Sequence, residues 1–129
     1  LPVYLLRLTM RIRCSVHTRF IIHQVSQATG ITVRQLLSSS TARRLSRPRQ
    51  LAMWLIRRHT GETLRAIGEA FRRDHSTVHH AITTAAHRIQ SDPDTRRTAR
   101  AIEASLGRYA TQPPLSPPHH LQDRHHAHP

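Results

Sequence analysis

The run Arg73-Asp74-His75-Ser76-Thr77-Val78-His79-His80 offers a short carboxylate, then a ring N–H, a hydroxyl, and a hydroxyl with a methyl group. At the start of a helix, Asp74 can accept from backbone amides of the first turn. His75, Ser76 and Thr77 then occupy the turn that a recognition helix presents to base edges, with the Thr methyl matching a thymine methyl in the major groove. His79 and His80 continue that side within reach of phosphates. Asp74 beside histidines is also material for acid–base chemistry. Adjacent helical positions diverge, however, and no nucleophile or second carboxylate converges on them, so no enzyme is expected. A second concentration of imidazoles, His119, His120, His125, His126 and His128, could hold Zn, Ni or Cu. Without a Cys or carboxylate framework it reads as a tail with incidental affinity, and neither metal nor cofactor is expected. No GxxxxGK[ST] occurs, and these residues contain no Lys to complete one, so no ATPase is expected.

The elements that must position this run are helical. Apolar spacing predicts a helix over Thr18–Thr29, stopped by Gly30, and a short one over Val33–Leu37 with Thr32 as N-cap. Ser38 to Arg47 is polar and basic and reads as a flexible loop. Pro48 suits a first helical turn, and Leu51, Ala52, Leu55 and Ile56 give a buried stripe ending near Gly61. Helices over Thr63–Phe71 and Asp74–Ile89 are joined by about three residues, which is helix-turn-helix spacing, and the small Gly68 permits their close approach. Asp92-Pro93-Asp94 is a break before a closing helix ending at Gly107. The expected fold is all-α: a small helix-turn-helix domain over residues 15–107 with a basic loop. Residues 1–14 form an N-terminal segment set aside as mis-started, and 108–129 a disordered Pro- and His-rich tail. Trp54, the only Trp, lies off the main stripe and is expected to pack against the first or closing helix rather than stack on a base.

Charge sets the partner class. The chain has 129 residues and a net charge of +13. Eleven Arg and no acid precede Glu62, giving +11, while nine Arg face seven acids from Glu62 onward. Such polarity predicts a polyanion, nucleic acid or an anionic membrane surface. Leu1–Ile12 is the segment that would meet a lipid surface, but no run approaches the ~20 apolar residues of a span. A lone Cys14 excludes an internal disulfide and fits a cytoplasmic protein.

Arg47-Pro48-Arg49-Gln50-Leu51-Ala52-Met53, Ile67-Gly68-Glu69-Ala70-Phe71 and Arg73-Asp74-His75-Ser76-Thr77-Val78-His79-His80-Ala81, in that order, resemble the C-terminal DNA-binding domain of the bacterial replication initiator DnaA. Ile31-Thr32-Val33-Arg34-Gln35-Leu36-Leu37 fits the short helix before that family's basic loop, and the resemblance covers roughly residues 18–107. It implies sequence-specific binding of double-stranded DNA at DnaA boxes in replication initiation or its regulation, with full-length initiator as competitor or collaborator. It assigns base readout to Asp74, His75, Ser76 and Thr77, where Ser76 replaces a Thr and lacks its methyl. Arg49 and Gln50 match an Arg-Gln pair at the groove edge and backbone. Arg43, Arg44, Arg47, Arg73, His79 and His80 complete the expected backbone and groove contacts. The family's minor-groove Arg falls at Thr41, so Arg43 or Arg44 must substitute. The turn at Phe71-Arg72-Arg73-Asp74 is one residue shorter than the common form with two glycines. Occupation of such sites by a transcriptional regulator is the alternative reading.

Overall fold

The computed structural model describes residues 16–111, and the readings of residues 1–14, Cys14 and the His-rich tail fall outside them, apart from the four helical residues 108–111. Six α-helices and one 3-10 turn make up the described residues, with no strand: α1 (Val16–Thr29), α2 (Val33–Leu37), the 3-10 turn (Arg43–Leu45), α3 (Ser46–Thr60), α4 (Leu64–Phe71), α5 (His75–Ser91) and α6 (Pro93–Thr111). The all-α helix-turn-helix expectation is what is observed. Long α3 is the centre, packed most extensively against α5 and then α1, while α6 closes over α5 and α1.

Local chemistry explains the boundaries. Thr32 caps α2 reciprocally with Gln35: the Gln35 amide donates to the Thr32 hydroxyl at 3.0 Å, and Thr32 N–H donates to Gln35 Oε1 at 3.0 Å. Gly30 and Gly61 follow α1 and α3 with φ of 75° and 70°, the left-handed conformation that ends a helix. Two boundaries differ from expectation. α3 begins at Ser46, so Pro48 is its third residue, still inside the first turn where no N–H has an intrahelical acceptor. α6 continues through Gly107 to Thr111, which corrects the expected end at Gly107 and makes residues 108–111 helical where disorder was expected to begin. Gly107 keeps a helical backbone here, and one interior Gly costs only about 1 kcal/mol.

The core is aliphatic, as the scarcity of aromatics requires. Ile22 and Val25 of α1, Leu55 and Ile56 of α3, Phe71 of α4 and Val78 of α5 are fully buried. Each contributes about 1.5–3 kcal/mol by leaving water, which holds the short α4 that would not persist alone. Among the described residues no helix is long and apolar enough to cross a membrane, and no three His, Cys, Asp or Glu could share a metal.

Candidate nucleic-acid interface

The turn between α4 and α5 is built from backbone closure. Thr63 caps α4 by accepting from Ala66 N–H at 3.0 Å. Arg72 ends the helix in the left-handed region at φ 58°, a position where glycine is more comfortable, and Arg73 N–H donates to Gly68 O at 2.8 Å. A Cβ on Gly68 would collide with the Arg73 carbonyl oxygen, so Gly68 is small because the turn folds back against it. Asp74 Oδ1 then accepts from Thr77 N–H at 2.8 Å and from the Ser76 hydroxyl at 2.7 Å. The Thr77 amide first, and the Ser76 hydroxyl next, hold the Asp74 carboxyl down at about 2. His75, Ser76, Thr77, His79 and His80 are all exposed on this capped helix.

The basic loop is held quite differently. Arg49 is 5 % exposed, and its guanidinium donates to the carbonyls of Gln35, Leu36, Ser38 and Ser40, with Nε–Leu36 O and Nη2–Gln35 O both at 2.9 Å. Burial first, and the neighbouring charge of Arg73 second, lower its pKa. Arg49, expected at the groove edge, turns its fork inward onto the carbonyls that end α2 and open the loop. Arg73 reinforces the same segment, donating to Phe71 O at 2.9 Å, Ser40 O at 3.2 Å and Ser38 O at 3.4 Å. The loop expected to be flexible is thus fastened at its root and closes with the 3-10 turn. Arg43 and Arg44 on that turn are exposed and make no side-chain hydrogen bond among the described residues, and the same holds for Arg47.

Thr41, Arg49, Gln50, Arg73 and Thr77 line one hollow of about 170 Å³, which brings loop, α3, turn and the helix after it together. Gln50 is half-buried, and its Oε1 accepts from Arg88 Nη1 at 2.8 Å, a partner that the sequence reading missed. Neither His79 nor His80 lines this hollow, and the same holds for Asp74, His75, Ser76, Arg43, Arg44 and Arg47. A second missed cluster lies at the far end of α3, where Arg58 Nε and His59 Nε2 approach Glu103 Oε2 at 3.2 and 2.7 Å. Arg58 sits over Trp54, its Cζ 5.4 Å from the ring centroid, and Trp54 borders the closing helix α6, as expected, and also α5.

A capped recognition helix with an exposed first turn, set beside a fastened basic loop, defines a DNA-binding helix-turn-helix domain. A family model described as the bacterial DnaA protein helix-turn-helix matches residues 18–84. The chain belongs to that family. It is similar to the chromosomal replication initiator protein DnaA of Deinococcus radiodurans, 37% identical over 82 residues, which cover 64% of this chain and 18% of the relative. That of Thermomicrobium roseum is 32% identical over 94 residues, 72% of this chain and 20% of the relative, and that of Dechloromonas aromatica 49% over 55 residues, 42% and 12%. The chain thus spans a fifth or less of the length of these relatives.

Proposed function

We propose that the chain binds double-stranded DNA sequence-specifically at DnaA-box-like sites and acts in the initiation or regulation of DNA replication. The observation that carries this is the first turn of α5: Asp74 fixes the helix start through two short hydrogen bonds while His75, Ser76 and Thr77 stay exposed. His75 supplies a donor to base edges, while Thr77 presents its methyl and hydroxyl oxygen and Ser76 its oxygen, both hydroxyl protons being engaged by Asp74. Arg43 or Arg44, held on the fastened loop, enters an A·T-rich minor groove, whose narrow walls concentrate negative potential. Arg47, Gln50 and His80 contact the phosphate backbone and set register. The chain acts by occupying sites, with no reaction of its own, in the cytoplasm at the nucleoid, and it competes or cooperates there with full-length initiator.

Anisotropy titration of labelled duplexes with and without a DnaA box, at two salt concentrations, tests this. Tighter binding to the box at both salts is expected. Equal affinity for the two duplexes overturns specificity, and no binding to either overturns the DNA reading itself.

A further inference from the structure

The C-terminal half of α5 carries a second polar surface. Thr84, His87, Arg88 and Ser91 line an open cleft of about 460 Å³ that is closed on the other side by Arg47 from the start of α3 and by Asp92. Arg47 and His87 are exposed, Arg47 makes no side-chain hydrogen bond among the described residues, and Arg88 uses one of its five N–H donors on Gln50. The carboxylate of Asp92 is already engaged in capping α6: Oδ2 accepts from the Thr95 hydroxyl and amide, and Oδ1 from Asp94 N–H at 3.3 Å. The cleft therefore presents two guanidinium groups, an imidazole and the Thr84 hydroxyl, while the Ser91 hydroxyl donates to His87 O at 3.0 Å and the ionised Asp92, already hydrogen-bonded, offsets part of the Arg47 charge.

The geometry points to a phosphate-binding cleft, formed by Arg47, Thr84, His87 and Arg88, that grips the duplex backbone outside the segment read by the first turn of α5. Ser76, His80, Thr84 and His87 recur at helical spacing and so lie along one side of α5. His87 is eleven residues beyond Ser76, about 16 Å along the axis at 1.5 Å per residue. That exceeds the ~12 Å width of the major groove. With the first turn in the groove and α5 running across it, this cleft lies over the sugar-phosphate wall. Arg88 also acts as a positioning residue: by holding Gln50 Oε1 it leaves the Gln50 amide N–H groups to donate outward. Phosphate contacts of this kind add affinity and salt dependence without reading sequence.

The inference rests on the duplex-binding reading, and its test separates the two. The full chain and the variants Arg47→Ala and Arg88→Ala are titrated at several salt concentrations onto a duplex limited to the box and onto one extended by a helical turn on each side. On the extended duplex each variant is expected to flatten the salt slope by about 0.9 per lost phosphate contact. Box preference should be unchanged, and each variant should lose more slope on the extended duplex than on the limited one. Unchanged slopes on the extended duplex, an equal effect on both duplexes, or a loss of box preference overturn the cleft while box binding stands. No binding of any duplex by the unmodified chain overturns both. Melting midpoints are measured alongside; should Arg88→Ala unfold the chain, the exposed Arg47 carries the test.

Discussion

The recognition turn and the basic loop are fastened in opposite ways. At the turn, one carboxylate oxygen of Asp74 and the backbone of Gly68 fix the start of α5, and the side chains beyond remain open. At the loop, the side chains of Arg49 and Arg73 are consumed in gripping backbone carbonyls as far as Ser40, and the exposed cations sit on the 3-10 turn that follows. Two arginines thus organise a segment whose other arginines are free. A rigid helix end suits discrimination between bases, where small displacements cost hydrogen bonds, whereas a fastened arm suits delivery of charge. Basic residues of one region are therefore not interchangeable, and burial separates those that fasten the loop from those it exposes.

Substitutions should break this contrast in a graded way. Arg49→Ala leaves the carbonyls of Gln35, Leu36, Ser38 and Ser40 short of their donor, and a loss of about 3 kcal/mol is expected in denaturant unfolding. Hydrogen exchange should rise in the loop while the first turn of α5 stays protected. Gly68→Ala attacks the other region: the collision with Arg73 O should cost about 1–3 kcal/mol, read as a lower melting midpoint, with weakened binding of box DNA. Arg72→Gly relieves the left-handed residue of the turn and should stabilise by up to about 1 kcal/mol, with the loop unaltered. The smallest effect is electrostatic. Because the folded pKa of Asp74 lies near 2, below the ordinary 3.8, its cap contributes fully above the unfolded value. That contribution fades as pH falls from about 4 through 2. Asp74→Ala should flatten part of that acid limb in melting curves, while Asp92, also lowered, chiefly by the Thr95 hydroxyl, retains its share.

Most of the helices were legible because their caps and stops are local. Thr32, Thr63 and Asp74 announce helix starts by residue type, and Gly61 announces an end. The close approach at Gly68 was legible for the same reason. The direction of Arg49 was not read, although the signal was present: Arg49, Ala52, Met53 and Ile56 share the spacing of the buried stripe of α3, so the arginine had to point inward. The Arg88–Gln50 bond and the approach of Arg58 and His59 to Glu103 join residues far apart in sequence, and no local pattern encodes them. The extension of α6 past Gly107 escaped because a glycine permits a stop without imposing one.

The central claim is that the turn discriminates while the arm supplies charge, and affinities of two variants for box and scrambled duplexes across a salt series test it most directly. Thr77→Ala should lose box preference and keep the salt slope of the unmodified chain. Paired replacement of Arg43 and Arg44 by Ala should flatten the slope and weaken both duplexes, retaining much of the preference set by the turn. The opposite pattern, slope lost at Thr77 and preference abolished only at Arg43 and Arg44, would contradict the account.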